Sequence, residues 1–430
     1  MKLIIHRGTR EIGGSCVEVK TDKTRLLLDF GLPLITADRQ PFDSKTLQNK
    51  SIDEFKSADI LPNIKGLYKN DVKGIDAILL SHSHLDHYGL LNYIHHDIPI
   101  YMSKGADILV KISSIFTASK TKLSNVSIVT PKKLFHIGDF KITPYLVDHS
   151  AFDALAFLIE GDRKRIFYSG DFRGHGRKSV LFERMIKDPP QDIDCLLMEG
   201  SMIGRKDQKY KTELDVERRI EAILRESKKT TFISMSSQNI DRIVSAYKAC
   251  LMTGSIFVID IYTAFILDML RRVSPRIPQF NWKNIRVMFF HHHAEALQKA
   301  GYRDLLYVYN KKKIKTLEIN RSKNKFLMMA RDNSIFPSIL KGISGVQGSK
   351  IIHSMWEGYL APAFKAYCAK KGLLIEDVHT SGHAVPDDLK AFAKALNPAV
   401  LIPIHTFFAD EYKNLFSNVK VLKDGEEFSV

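Results

Sequence analysis

Side chains of the types that bind divalent metals are concentrated in residues 81–87, which read Ser-His-Ser-His-Leu-Asp-His. His82 and His84 point the same way if the segment is extended, because side chains alternate along a strand. Asp86 and His87 follow where the chain turns, so they can face a second, neighbouring point. Imidazole and carboxylate ligands in this number predict a site for two adjacent ions, with zinc or manganese as suitable metals.

The first 200 residues are dominated by short apolar runs that predict buried strands. Such runs lie at residues 25–31, 75–80 and 165–171. Each ends in a polar residue followed closely by Gly or His, so functional side chains are delivered at strand ends on a rigid scaffold. A helix is predicted over residues 88–94.

From about residue 212 the pattern changes to alternating helices and strands, which predicts a second α/β unit with its own sheet. Helices are predicted at residues 212–226 and 239–252, and strands at residues 230–235, 256–261, 285–290, 373–378 and 399–404. The last two strands repeat the polar-ended pattern of the first domain. Since no low-complexity linker separates the parts, we expect the middle unit to be inserted into the first domain.

The composition favours a globular protein with a polyanionic partner. The chain has 430 residues, of which 44% are apolar and 26% charged. No apolar run reaches the ~18 residues of a membrane-spanning helix, and the N-terminus turns polar too early for a signal peptide, so we expect a cytoplasmic protein. Lys and Arg exceed Asp and Glu by 64 to 48, a formal net charge of +16 that attracts phosphate groups.

The cysteines and one basic stretch carry weaker signals. The four cysteines are scattered and form no CxxC pair, so buried reduced thiols are expected rather than disulfides or a zinc knuckle. Residues 300–325 carry a strong excess of Lys and Arg over Asp and Glu. A solvated surface and a nucleic-acid contact are both open interpretations of this stretch.

The His-x-His-x-Asp-His pattern at residues 82–87 resembles the signature of the metallo-β-lactamase superfamily. Further elements of the family pattern occur in the family's order: Asp29 in Leu-Leu-Leu-Asp-Phe-Gly, His149 in Val-Asp-His-Ser, and Asp171 in Ser-Gly-Asp-Phe. The resemblance implies that Asp171 bridges two metals. Asp29 would not bind a metal itself but would orient a ligand histidine or the attacking hydroxide.

Three later residues resemble the pattern of the β-CASP nucleases, which insert a second domain into the metallo-β-lactamase unit. They are Glu199 in Leu-Met-Glu-Gly-Ser, His383 in His-Thr-Ser-Gly-His-Ala, and His405 in Ile-Pro-Ile-His. The hexapeptide at residues 379–384 resembles the phosphate-contacting loop of ribonuclease J. Glu199 stands where ribonuclease J usually has Asp, and Glu is commoner in the relatives that process RNA 3′ ends.

The resemblance implies an α/β fold, namely a metallo-β-lactamase αββα sandwich with an inserted β-CASP α/β domain. The first part of the sandwich is expected at residues 1–205, the insert at 206–357 and the return segment at 358–430. The resemblance also implies two sets of metal ligands joined by one carboxylate. The first set is His82, His84 and His149, and the second is Asp86, His87 and His405. Asp171 is the bridging carboxylate.

The function that the resemblance implies is hydrolysis of phosphodiesters in single-stranded RNA by a metal-dependent ribonuclease, acting as an exonuclease, an endonuclease or both. Two divalent ions, zinc or alternatively manganese, would activate water and stabilise the in-line transition state. The expected catalytic residues are Asp29, Asp171, Glu199 and His383, with His383 as a general acid that Glu199 keeps protonated. Substrate contacts are expected from the loop around that histidine: Ser381, Gly382 and Ala384.

Alternative functions remain open at this point. A DNA nuclease of the β-CASP repair branch usually lacks a histidine where His405 stands. Small-molecule ester hydrolases of the glyoxalase or lactonase type are shorter and lack both the insert and the His383 element. A non-catalytic interaction protein is disfavoured because every ligand position carries a ligand-type residue. DNA as a partner and homo-oligomer formation are left open, and no membrane partner is expected.

For several other residues a structural role is the simpler interpretation. The histidine tract at residues 291–293 has no further metal ligands near it in the insert, so a surface or core role is expected. His353 is expected to be a hydrogen-bonded histidine at a strand end. Trp356, Phe407 and Phe408 lie beside apolar strands, which favours core packing over stacking on bases.

Overall fold

The computed structural model describes residues 1–35, 42, 50–117, 120–206, 208–333 and 335–430. The strands, in chain order, are β1 (Lys2–Arg7), β2 (Cys16–Lys20), β3 (Arg25–Leu28), β4 (Ala77–Leu79), β5 (Ile100–Met102), β6 (Val126–Ile128), β7 (Phe135–Ile137), β8 (Phe140–Leu146), β9 (Leu155–Gly161), β10 (Lys164–Tyr168), β11 (Cys195–Glu199), β12 (Thr231–Ser234), β13 (Ile256–Asp260), β14 (Ile285–Met288), β15 (Phe326–Met329), β16 (Lys350–His353), β17 (Leu374–Asp377), β18 (Val400–Ile404) and β19 (Glu427–Ser429).

The helices, in chain order, are α1 (Ile52–Ser57), α2 (Leu85–Tyr88), α3 (Lys104–Phe116), α4 (Ser179–Lys187), α5 (Glu213–Glu226), α6 (Ile240–Thr253), α7 (Ile261–Leu270), α8 (His291–Lys299), α9 (Arg303–Asn310), α10 (Thr316–Arg321), α11 (Phe336–Gly342), α12 (Pro362–Lys370) and α13 (Pro386–Leu396). Among the described residues, no helix combines the length and the apolar character needed to cross a membrane.

Two of the sheets pack face to face, with strand orders β19-β1-β2-β3-β4-β5-β6 and β18-β11-β10-β9-β8-β7. Because side chains alternate along a strand, Leu26 and Leu28 of β3 lie in the core between the sheets with Phe157 of β9, whereas Leu27 packs on the outer side. Helices α1 to α3 cover the outside of the first sheet, and α4 and α13 cover the outside of the second. This architecture confirms the predicted αββα sandwich.

The strand ends of the sandwich converge on one edge. Strands β3 and β4 are parallel neighbours, so Asp29 and Ser81 follow them at the same end of the first sheet. In the second sheet β11 lies between the parallel strands β10 and β18, with Glu199 opposite Ile404. The residue after Ile404 is His405. The topology thus brings together side chains that are far apart in sequence.

The third sheet is entirely parallel, with strand order β14-β13-β15-β12-β16-β17. It is the separate sheet that the alternating pattern predicts for the middle of the chain. Its edge strand β17 pairs with β16, Ile375 opposite Ile351, and α12 packs on the same sheet through Phe364 and Cys368. Residues 362–377 therefore belong with the inserted sheet, although the sequence pattern placed them in the return segment at 358–430.

The local predictions differ in how well they match. Helix α5 begins after Thr212 and α6 after Asn239, and in each case the capping side chain accepts a hydrogen bond from the first turn. The helix predicted at residues 88–94 is wrong, because α2 starts at Leu85 and ends at Tyr88. The apolar residues that follow it are buried in the core through a short 3-10 turn instead of continuing the helix.

The inserted unit contacts the sandwich through an apolar surface and a buried charge network. Helix α3 of the sandwich contributes Ile108, Leu109 and Ile112 to the same core cluster as the insert. The four cysteines are buried free thiols, as the sequence predicts. The charge network lies closer to the strand-end edge and is described with the site it supports.

Candidate metal centre

Asp29 ties the ends of three strands together. It is completely buried and has a positive φ of 58° directly after β3. Its Oδ1 accepts a hydrogen bond from the amide of Ser81 at 2.7 Å, and its Oδ2 accepts from the hydroxyls of Ser81 and Tyr168 at 2.7 and 2.6 Å. The same Oδ2 lies 2.7 Å from Nδ1 of His87. With Nδ1 donating to this carboxylate, His87 presents Nε2 to the interior of the site.

The first group of ligands consists of His82, His84 and His149, whose ring nitrogens lie within 4.8 Å of one another. His149 Nδ1 is 2.5 Å from the carbonyl oxygen of Gly382, to which it donates, and its Nε2 is 3.3 Å from His84 Nδ1. Burial lowers the pKa of His82 and His149 well below the usual value and that of His84 to about 4. All three rings are therefore neutral at pH 7, the form that binds metals.

The second group consists of Asp86, His87, Asp171 and His405, with ligand atoms again within 4.8 Å. Asp171 Oδ2 lies 3.1 Å from His87 Nε2 and 3.6 Å from His405 Nε2. It also lies 3.7 Å from His82 Nε2, which belongs to the first group. Asp171 therefore stands between the two groups, the position expected of a bridging carboxylate.

The negative charge around this second group favours the binding of a cation. Burial opposes protonation of His87, yet the carboxylates of Asp171, Asp29 and Asp86 raise its pKa well above the ordinary value. In other words, three acidic groups around one ring make a proton on that ring favourable despite burial. A divalent metal supplies more positive charge than this proton at the same place.

Two loops approach the second group closely. Ser15 donates its amide to the carbonyl of Asp86 at 3.1 Å, and its hydroxyl lies 2.9 Å from Nδ1 of His405. A Cβ on Gly31 would lie 1.6 Å from the Asp86 carbonyl oxygen, so only glycine permits this approach. Ser15 and Tyr168 were not among the predicted site residues, because their roles depend on contacts across sheets rather than on local spacing.

Unpartnered atoms show that the residues fit metal ions. His82 Nε2 and His405 Nε2 are buried and form no hydrogen bond within the described part of the chain. Buried polar atoms normally have a partner, and these two nitrogens lie among ligand-type atoms where a metal ion would pair with them. The donor set of imidazoles and carboxylates suits zinc-like divalent cations.

A third group joins Glu199 and His383 to the bridging Asp171. Glu199 is buried, and its Oε1 accepts hydrogen bonds from the amides of Phe172 and Ala384 at 3.3 and 3.2 Å. His383 Nδ1 lies 3.3 Å from that oxygen and 3.6 Å from Asp171 Oδ2. Burial opposes the effect, but Glu199 and Asp171 raise the pKa of His383 above its ordinary value. Its side chain is 21% exposed, so solvent reaches part of the ring.

Hydrogen bonds hold the loop that carries His383 in place. The Ser381 carbonyl accepts a hydrogen bond from Arg173 at 2.7 Å, and the Ser381 hydroxyl accepts one from the His383 amide at 3.0 Å. A Cβ on Gly382 would lie 2.3 Å from the Ser150 hydroxyl. Ala384, predicted to contact substrate, is corrected to a positioning role, because its amide binds Glu199 and its methyl group is buried in the core.

Arg173 and Arg242 link this loop to the inserted unit. Arg173 lies 2.7 Å from Asp241 and 3.4 Å from Glu213, and Arg242 lies 3.0 Å from Glu213. Arg242 also donates to the carbonyl of Thr380 at 3.1 Å. Both guanidinium groups are fully buried. Sequence reasoning missed these arginines, since nothing in their local spacing shows that they meet.

The remaining candidates take the positions summarised here. His293 lies 3.9 Å from Asp260, and the tract at residues 291–293 joins no ligand group among the described residues. His353 is hydrogen-bonded to Asp377 at 2.9 Å, as expected of a strand-end histidine. The expectation of core packing for Trp356, Phe407 and Phe408 is wrong, because these rings are 49%, 37% and 43% exposed.

Comparisons with known proteins agree with this architecture. A family model described as a β-lactamase superfamily domain matches residues 58–233. Transcription termination factor FttA of Methanothermobacter thermautotrophicus is 23% identical over 308 residues, covering 66% of this chain and 45% of that protein. Ribonuclease J 2 of Streptococcus pyogenes is 20% identical over 457 residues, covering 99% of this chain and 75% of that protein.

The solved structures show the same fold over nearly the whole length. A protein of unknown function from Enterococcus faecalis V583 superposes with a TM-score of 0.80 at 21% identity, covering 99% of both chains. The match to FttA, in contrast, spans less than half of that relative's own length. The chain is therefore similar to ribonuclease J and FttA proteins in sequence, and residues 58–233 match the β-lactamase superfamily domain.

Proposed function

We propose that this protein is a ribonuclease that hydrolyses phosphodiester bonds of single-stranded RNA with two divalent metal ions. The observation that carries the proposal is the juxtaposition of two ligand groups, joined by Asp171, with a partly exposed histidine held by Glu199. A metal pair beside a positioned proton donor is what in-line displacement at phosphorus needs.

The four free cysteines suit a reducing compartment, and we place the protein in the cytoplasm.

The metal ions would be held in two sets with one shared ligand. We assign one ion to His82, His84 and His149. We assign the other ion to Asp86, His87 and His405, and Asp171 would be the ligand that both ions share. Zinc is the metal that best matches these ligands, with manganese as the alternative. Such a pair, when bound, lowers the pKa of a shared water and neutralises charge on the phosphoryl oxygens.

The side chains around the cleft supply the proton and the phosphate contacts. His383 Nδ1 donates to Glu199, which leaves Nε2 to give its proton to the leaving oxygen of the scissile bond. Nε2 forms no hydrogen bond to any described residue, so it is free for this contact. The Ser381 hydroxyl proton and the Gly382 amide are the donors that we assign to a non-bridging phosphate oxygen.

RNA is the substrate that the relatives and the charge favour. Ribonuclease J 2 is named for action on RNA, and FttA for termination of transcription. The formal net charge of +16 adds attraction for a phosphate backbone. Cleavage of DNA is the alternative that a direct comparison must exclude.

The first prediction concerns Asp29, which orients His87 by accepting a hydrogen bond from its Nδ1. In Asp29→Asn, the amide nitrogen cannot accept the hydrogen bonds that the carboxylate accepts, so His87 loses its orientation. We expect metal affinity to fall by roughly 10- to 100-fold, the usual effect of removing such a partner. Competition with a chromophoric chelator measures this change. The exposed Asp22→Asn is the matched control, and equal affinity in Asp29→Asn and wild type would contradict the assignment.

The second prediction tests the function itself. End-labelled single-stranded RNA and DNA of one sequence are incubated with the zinc- or manganese-loaded protein, and products are resolved on a sequencing gel. We expect cleavage of RNA, and a decrease of about 100- to 10,000-fold in its rate in His383→Ala, since that is the range for loss of a general acid.

The control for this experiment is His136→Ala, an exposed histidine on β7 that should leave the rate unchanged. Failure of the metal-loaded wild type to cut RNA under these conditions would overturn the ribonuclease proposal. Equal cutting of DNA would instead assign a general nuclease.

The third prediction follows from the carboxylate beside His383. Glu199 raises the pKa of His383, and a general acid must be protonated to act. Replacing Glu199 by Gln removes the negative charge, so the pKa falls and the protonated form is lost at a lower pH. The alkaline limb of the kcat profile should therefore move to lower pH. A limb that stays in place, or moves to higher pH, would show that His383 is not the titrating acid.

A further inference from the structure

Exposed aromatic rings and an arginine gather beside the metal centre, on loops that follow three different strands. Gly204 and Arg205 follow β11, Trp356 and Tyr359 follow β16, and Phe408 follows β18. Trp356 and Tyr359 are 49% and 59% exposed. Large aromatic side chains usually find burial in a core or an interface. This surface, the aromatic cluster, is defined by Arg205, Trp356, Tyr359 and Phe408.

The members of the aromatic cluster contact one another. The rings of Trp356 and Tyr359 meet edge to face with centroids 5.4 Å apart. The guanidinium of Arg205 lies over the Trp356 ring, 5.3 Å from its centroid. A Cβ on Gly204 would lie 2.7 Å from the Phe408 ring, so that ring packs on the backbone next to Arg205. The cluster is therefore one continuous surface built by both the sandwich and the insert.

The aromatic cluster borders the ligands and the proton donor. Phe408 follows the ligand His405 by three residues. Gly204 and Arg205 follow Glu199, the partner of His383, by five and six residues. These links along the chain place the aromatic cluster next to the metal centre.

The shape of the cluster suits flat, uncharged rings with a phosphate beside them. The Trp356 ring lies so close to Gly358 that a Cβ there would be 2.3 Å from a ring carbon, so glycine permits this packing. Arg205 forms no salt bridge with a described residue, and neighbouring Lys206 is exposed and also unpaired. Aromatic faces combined with free cations are the features that bind unpaired nucleobases and their backbone.

We propose that the aromatic cluster is a stacking platform that binds the bases of single-stranded RNA next to the scissile phosphate, with Arg205 pairing to the backbone. The inference rests on the proposed function and adds a physical basis for the choice of substrate. Because stacking needs an unpaired base, the platform selects single strands over duplexes. It accepts any base sequence, since every base offers a π face.

Binding can be measured without cleavage. The chain has two tryptophans, Trp282 and Trp356, so Trp282→Phe leaves one fluorescent reporter in the cluster. We combine it with His383→Ala in the metal-loaded protein and titrate single-stranded oligoadenylate. The expected result is saturable quenching by the oligonucleotide and no quenching by inorganic polyphosphate of matched charge. Absence of quenching by bound oligoadenylate, or equal quenching by polyphosphate, would overturn the platform.

Kinetics give the second test. In Trp356→Ala we expect KM for single-stranded RNA to rise about 5-fold or more while kcat stays near wild type, and Trp356→Phe should retain most of the affinity. The control is Tyr307→Ala, an exposed ring on α9 that should change neither constant. A lower kcat at unchanged KM would show a structural effect and refute stacking.

The two tests separate this inference from the ribonuclease proposal. Cleavage of RNA by wild type together with no change in Trp356→Ala would refute the platform alone. Quenching by oligoadenylate in a protein whose wild type cuts no RNA would support the platform and refute the ribonuclease.

Discussion

The carboxylate of Asp29 is the interaction on which the rest of the structure depends. It lies in the sealed interior at the end of β3 and accepts hydrogen bonds from Ser81, His87 and Tyr168. Ser81 follows β4 and Tyr168 ends β10, strands of two different sheets, and His87 lies in helix α2. Buried donors that lose such an acceptor cost free energy of about 1–3 kcal/mol each, so this single group fixes the strand ends relative to one another. The histidines that follow Ser81 take their orientation from that arrangement.

A second buried contact couples the insert to the same edge. Glu213 of α5 pairs with Arg173 from the sandwich and Arg242 from α6, and both arginines donate to carbonyls of the loop before His383. Charges removed from water are strongly destabilising when left unpaired. The insert therefore cannot shift without disturbing this network, and the position of His383, the proposed proton donor, depends on a domain that contributes none of the proposed metal ligands.

Sequence reasoning reached the parts of the site that local chemistry encodes. The four ligand-type side chains within residues 82–87 can be recognised without tertiary information. Glu199, His383 and His405 were found only through resemblance, because their contacts join distant strands. The Arg173 network and the support from Tyr168 were missed for that reason. Trp356, Phe407 and Phe408 were assigned to the core because sequence shows apolar neighbours but not which side of a loop faces solvent.

The most direct test of the account is anomalous diffraction from crystals of the protein loaded with zinc or manganese, recorded at the metal edge. The account predicts two peaks per chain, one among His82, His84 and His149 and the other among Asp86, His87 and His405, with Asp171 contacting both. A single peak, or peaks elsewhere in the chain, would contradict the claim that Asp171 joins two metal sites. It would also remove the basis for the proposed phosphodiester chemistry.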